Sequence, residues 1–360
     1  MATLTTTTYS VGDLVASTLI NSRQELVDNI FKKSAYLAKM MLAGRKKTDS
    51  GGIKINRSVE YGVNGTVQSF QGYDVVPIVP QETVTDTQWD WKEYAGNWVI
   101  SRREERLNTG KAKFRDLAGQ KKSSLERSFN EQLNTHLLNP ASFTTVGNSG
   151  KDLTPLTMLV SAAALTVGSV NESAAGNGWW ANQRLKSITS NQAAGTVDGS
   201  KFVNELRSFY NTCGQNNDGF PDFCLWSKDV YETYMAVLDS KVRYGSTEMA
   251  NLGFQTVMLF GAEVAWDQIV PRWTVNAGAQ VAYSDATGVE GSGFFLNTDY
   301  IYLMVDSGTD FVMTTPVSHE PGGQYATSGS LLFMGEHLVT NRRSMGNERG
   351  INCPAVKLTT

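Results

Sequence analysis

The chain has 360 residues, of which 41% are hydrophobic and 10% aromatic, enough to bury a substantial core over two or three domains of ordinary size and too apolar for a disordered polymer. Its net charge of -3 is unevenly spread: residues 1–47 carry +4 and residues 102–127 carry +5, so the remainder carries -12. Neither the pattern of a secretory signal nor a run near 18 apolar residues is found, and the three cysteines, Cys213, Cys224 and Cys353, lack C-x-x-C spacing, which argues against a membrane span, a disulfide framework and a zinc site and fits a reducing compartment.

The first predicted element is an amphipathic helix in "NSRQELVDNIFKKSAYLAKMMLAG". Ser22 and Glu25 form a capping box, Leu26, Ile30, Leu37 and Met41 make one stripe widened by Val27, Phe31 and Met40, and Gly44 marks the stop. Such a helix needs a partner surface and reads as an arm.

Residues 51–100 change character. "TVQSFQGYDVV" and "ETVTDTQWDWKEY" alternate with period two and read as the strands of a long hairpin, with the prolines of "PIVPQ" between them. Alternation sets Thr83, Thr85, Thr87, Trp89 and Trp91 on one face and Val84, Asp86, Gln88, Asp90 and Lys92 on the other. Next, Phe114, Leu117, Leu125, Phe129, Leu133 and Leu137 draw a thin seam along a helix of about 28 residues, roughly 40 Å long, ending at Pro140. One narrow seam suits a brace across a sheet. Beyond residue 150, "SKFVNELRSFYNTC" and "SKDVYETYMAVLDS" read as helices. "DFCLW", "FQTVMLFGAEVAWD", "FFLNTDYIYLMVD" and the long "SLLFMGEHLVTNRR" read as strands, and "GQNNDGFPD", "NAGAQ" and "GVEGSG" as surface loops.

The search for chemistry finds little. His136, His319 and His337 fall in no metal-ligand spacing, Lys111 and Lys151 follow glycines without a P-loop, and Glu104 and Glu105 are interleaved with Arg102, Arg103 and Arg106 as ion pairs would be. No catalytic, cofactor or metal residues are expected. The two basic segments suit phosphate or an acidic partner surface as well as solvent, and no aromatic ladder accompanies them for reading a nucleic-acid sequence. The Trp89 and Trp91 face is the best candidate for a sugar platform, although the strand series of a sandwich or barrel is missing.

The order of parts resembles the major capsid proteins of tailed bacteriophages over nearly the whole chain. The matching residues are Trp91, Lys92, Tyr94, Ile100, Ser101, Asn108 and Gly110, followed by "GWWANQ" at 178–183, "LGFQTVMLFGAEVAWDQIVP", "GFFLNTDYIYLM" and "LLFMGEHLVTNRRSMGNERGI" with its Asn-Arg-Arg step at 341–343. Ala262 and Glu263 depart from the usual hairpin pattern. The resemblance implies an α+β fold: an N-terminal arm (1–50), an extended β-hairpin loop (51–100), a peripheral domain with a long spine helix (101–178), an axial α/β domain (179–317) and a return to the peripheral domain (318–360). It implies a structural protein, not an enzyme, that self-assembles as hexamers and pentamers into an icosahedral shell around double-stranded DNA. Scaffolding and portal proteins would be its partners, DNA contact non-specific, membranes uninvolved, and assembly in the host cytoplasm would yield a virion capsid. An encapsulin-like compartment and a phage-encoded carbohydrate-binding or adhesion protein are the alternatives.

A lone two-stranded hairpin is marginal in water, and each tryptophan removed from water is worth at most about 4–6 kcal/mol. Trp89, Trp91, Tyr94 and Trp98, with Arg102 and Arg103, are therefore expected at a subunit interface or, for the aromatics, at the hairpin's own root. Trp89→Ala and Trp91→Ala are expected to leave the subunit folded and weaken assembly.

Overall fold

The structure is a computed structural model, and it describes residues 34–76, 78–107, 111–138, 142–186, 199–215, 219–238, 257–274, 280–281, 289–319 and 324–351. The Ser22–Glu25 capping box and the first half of the arm stripe lie outside them, as does Cys353.

Helix α1 (Ala35–Leu42) is capped by Ser34, whose hydroxyl oxygen accepts from Leu37 N and whose hydroxyl donates to Asn134 on the long helix at 2.7 Å. Leu37 and Met40 of the stripe are buried. The helix stops as its sequence suggests: Gly44 adopts φ 63°, and the Gly44 and Arg45 N–H groups donate back to the Met41 and Met40 carbonyls.

The hairpin differs from expectation. Strand β1 (Lys46–Asp49) leads to β2 (Lys54–Glu60), which pairs antiparallel with β3 (Val84–Asp90) from Lys54 opposite Asp90 to Glu60 opposite Val84. The segment 66–76, read as a strand, forms none: the described residues between 61 and 83 pair with no strand. Gly62, Gly65, Gly72 and Pro80 interrupt the extended backbone there, and no complementary strand lies opposite among the described residues. The second expected strand is divided at Trp91 into β3 and β4 (Lys92–Ser101). Its alternation is as read, with Thr87 and Trp89 buried while Val84, Asp86, Gln88 and Asp90 are exposed.

Ser101 and Glu104 exchange hydrogen bonds as a capping box and open the short helix α2 (Arg102–Leu107). Helix α3 (Lys111–Leu138) has the expected 28 residues. It lies along β4, with Leu125 and Phe129 crowding Gly96, and Phe129, Leu133 and Leu137 of its seam are buried, as is Leu138. The Phe114 and Leu117 side chains lie outside the described set.

Two sheets organise the rest. In the six-stranded sheet, β17 (Ala326–Val339) pairs along one side with β4 and along the other with β14 (Ile301–Asp306), β15 (Val312–Met313) and β16 (Val317–Ser318), while β1 adds in parallel beside β14. The eight-stranded sheet runs β12 (Gln280–Val281), β11 (Arg272–Thr274), β13 (Val289–Leu296), β8 (Phe223–Trp226), β10 (Ala262–Trp266), β9 (Val257–Leu259), with β18 (Gly346–Ile351) joining β13 to β7 (Gln183–Lys186). A small hairpin, β5 (Thr166–Val167) with β6 (Val170–Asn171), stands apart. Sheet membership does not follow the boundary expected at 317/318: β14 to β16 belong with β4 and β17, and β18 returns to the eight-stranded sheet. The 3₁₀ turn Thr298–Tyr300 carries the chain from one sheet into the other.

Helices α4 (Gly199–Cys213) and α5 (Lys228–Leu238) flank the eight-stranded sheet at the positions read from the sequence. β8 is buried at all four positions because both its faces are covered: Phe223 and Leu225 enter the core shared with the six-stranded sheet, and Cys224 and Trp226 enter the core under α4 and α5. β13 divides likewise, Phe294 and Leu296 from Phe295. "GVEGSG", read as a surface loop, supplies most of the start of β13. Its glycine at 293 is there for contact, since a Cβ would lie 2.5 Å from the Trp226 ring. Burial pushes the Cys213 thiol up to about 12 and that of Cys224 well up, so both are inert core groups.

Candidate subunit-interface surface

Two of the expected interface aromatics are buried in their own chain. Trp89 lies on the turn of the β5–β6 hairpin, where Gly168 has φ 60° and a Cβ would come within 2.8 Å of the indole. The Gln88 N–H donates to the Gly168 carbonyl beside it at 3.1 Å. Trp98 lies over Gly329, its direct partner on β17, where a Cβ would meet the indole at 2.7 Å. Both are large-on-small pairs that fill space without a second subunit.

Tyr94 is half-buried on the same inward face of β4. Its hydroxyl hydrogen-bonds His136 Nδ1 at 2.9 Å and accepts the Leu153 N–H at 2.9 Å, and burial raises its pKa well above that of a free phenol. Trp91, at the break between β3 and β4, is half-buried and donates from Nε1 to the Gly52 carbonyl at 3.0 Å. Arg102 and Arg103 are exposed at the start of α2, where the Arg102 N–H donates to the Tyr325 carbonyl. The structure thus buries Trp89 and Trp98, packs Tyr94 and Trp91 half-buried against the same core, and leaves Arg102 and Arg103 exposed. With Trp89 buried, the Trp89 and Trp91 face is not the open platform a sugar ring would need.

A larger apolar surface lies just upstream. Val63, Val67, Phe70, Tyr73, Val75, Ile78 and Val79 are all exposed on the segment between β2 and β3, and Tyr73 and Ile78 reach 104% and 99% relative exposure. So many large apolar side chains exposed on one segment mark it as a candidate interaction surface. The segment leaves a fixed neck, because Tyr61 stacks on Trp179 with ring centroids 4.9 Å apart and the Tyr61 and Gly62 N–H groups donate to the Thr83 carbonyl. Of these residues, those from 67 to 75 fall within the expected strand and Ile78 and Val79 within the connection, and neither reading marks them as exposed.

A second feature is a buried arginine. Arg342, 0% exposed, donates to the Leu159 and Trp180 carbonyls, Ser161 Oγ, Asn182 Oδ1 and Glu172, which also pairs with Arg184 at 2.6 Å. Burial lowers its pKa to about 10 while Glu172 opposes the shift. Two segments singled out in the sequence, 178–183 and 341–343, meet at this one side chain. Among the described residues no group of three or more His, Cys, Asp or Glu converges on a metal position, and no helix is long and apolar enough to cross a membrane.

No protein-family model matches the sequence, and no curated protein matches it. Solved structures do. The capsid of cyanophage A-1(L) is similar with a TM-score of 0.58 at 12% identity, covering 88% of this chain and 92% of that one. The capsid of a native GTA particle gives 0.49 at 10% identity over 87% and 90%, and the holo-SrpI encapsulin complex from Synechococcus elongatus PCC 7942 gives 0.48 at 7% over 87% of each. At such identities the likeness is one of fold, and it rests on the first of the three. The chain has the fold of a phage major capsid protein, as the order of its sequence segments led one to expect.

Proposed function

We propose that this chain is the shell subunit of a tailed-phage capsid, assembling with copies of itself into an icosahedral container for double-stranded DNA. The observation that carries the reading is the uncovered apolar segment between β2 and β3, raised on a stapled neck from a subunit of capsid fold. A single copy leaves Phe70, Tyr73 and Ile78 in water, and a neighbouring copy is the surface always at hand in a shell. On this reading residues 1–50 are the arm and 51–100 the loop that reaches over the adjacent subunit. Residues 101–178 with β14 to β17 make the peripheral domain, and the eight-stranded sheet with α4 and α5 makes the axial domain around five-fold and six-fold positions. Trp91, Arg102 and Arg103 would then be rim contacts.

The chemistry is structural and calls for no catalysis or cofactor. Scaffolding and portal proteins would guide closure in the host cytoplasm, and DNA would touch the acidic shell without sequence preference. Expression of the full chain alone, followed by light scattering and negative-stain imaging, tests the reading. Closed particles are expected, from the chain alone or once a scaffolding protein is supplied, and the contents of particles purified from the native source, DNA or a cargo protein, separate a virion from an encapsulin-like compartment. A monomer that stays monomeric with its scaffold and binds glycans instead would overturn it.

A further inference from the structure

Glu348 lies in the middle of β18, the strand that joins β13 to β7 in the eight-stranded sheet. A Cβ on Gly346 would meet the Phe209 ring and Cys213 Sγ of α4, so position 346 faces that helix, and position 348, two residues on, faces the same way. In the register of the sheet Glu348 stands opposite Gly293, and Gly293 opposite Trp226. The row thus runs acid, glycine, tryptophan, on the face that packs under α4 and α5 with Phe209, Cys213, Cys224 and Phe295.

Neither solvent nor a donor reaches this carboxyl. Glu348 is 0% exposed, and neither Oε1 nor Oε2 has a hydrogen-bond partner. A donor on the same row, Trp226 Nε1, lies over Gly293 and makes no bond to the acid. Among the described residues no Lys, Arg or His pairs with it, and Arg349, next along the strand, points to the opposite face. The residue opposite on β7 is Leu185. The titratable groups facing Glu348 are Glu205 and Cys213 of α4 and Cys224 of β8, and Tyr210, Tyr231 and Tyr234 complete the set in this core. All are acids, so any charge they take is negative. An ionised carboxylate here would be stripped of water, offered no N–H and set beside a second carboxyl, and each of these disfavours the charge.

We propose that Glu348 is a buried proton site: the folded subunit holds it as the neutral acid, and raising the pH draws the proton off and loosens β18 from beneath α4. Burial first, and then the Glu205 charge, keep the proton in place and raise the carboxyl well above its ordinary range. The sign follows. A carboxyl raised from 4.5 contributes stability that is complete below 4.5 and is lost as the pH climbs toward its folded value. Because β18 is the link between β13 and β7, the loss falls on the seam of the sheet.

The test uses the unassembled full-length chain with its glutamates carbon-13 labelled at Cδ. One carboxyl signal should keep its protonated position above about pH 8, where Glu336, raised to about 7, has already ionised. Glu205→Gln leaves position 348 untouched and removes a neighbouring negative charge, so it should move the midpoint of that signal to lower pH. Glu348→Gln should abolish the signal. The unfolding constant of wild type divided by that of Glu348→Gln should rise about tenfold per pH unit above 4.5. A role confined to packing would leave that ratio constant with pH and no glutamate protonated above about pH 8. Either result would overturn the proposal, as would a late signal indifferent to Glu205→Gln. Should Glu348→Gln not fold, the spectra of wild type and Glu205→Gln still decide it, because they read the proton itself. The proposal stands apart from the shell reading, since one subunit carries the whole site.

Discussion

Trp89 and Trp91 are two positions apart and differ in kind. Trp89, 4% exposed on Gly168, is a core residue. Trp89→Ala should therefore lower the subunit's own unfolding free energy by about 3–5 kcal/mol, against the expectation that it would spare the monomer. Trp91→Ala, which forfeits a half-exposed ring and one bond to a carbonyl, should cost the subunit about 1 kcal/mol or less. Urea denaturation of the unassembled chain measures both, and equal losses would refute the distinction. The inward face holding Trp89 was legible from alternation alone. Gly168 and Gly329 beneath the indoles were not, because a glycine carries no side chain by which the sequence could announce what lies over it.

Helix α3 was the most legible element, since a seam repeated over 28 residues fits only one period. The start of β13 was the least legible, since its glycines serve close contact with Trp226, yet glycine in a sequence more often marks a turn. The stretch 66–76 departs from its strand reading for a third reason: strand-like residues that meet no partner strand among the described residues do not form a strand. The exposed side chains between β2 and β3 make a clean prediction. Replacing Phe70, Tyr73 and Ile78 together with serine should change subunit stability by no more than about 0.5 kcal/mol, as surface substitutions do, while particles become fewer or dissociate at lower denaturant. Sedimentation beside thermal unfolding of the free subunit separates the two effects, and undiminished particles would remove the segment from the interface.

At the scale of the molecule, the order of arm, hairpin, long helix and mixed α/β region was readable, whereas the route of the chain between sheets was not. Nothing in "SHEPGG" or the Asn-Arg-Arg step tells that the chain crosses from β17 into the other sheet at β18, or that Arg342 will meet Trp180 and Asn182 there. Those contacts join residues more than 150 positions apart, beyond any local pattern. The eight-stranded sheet shows what such crossing achieves. β8, β10 and β13 each send alternate side chains into one core and then the other, Phe223 and Leu225 against Cys224 and Trp226 in β8. They are a party wall: neither room can be emptied while the other stands, because the same backbone bounds both. Calorimetry of the isolated subunit should therefore record one heat-absorption peak, and two separated peaks would mean the wall had been breached. If copies of the chain assemble as proposed, a shared wall turns a tug on either room into a load borne by the whole house.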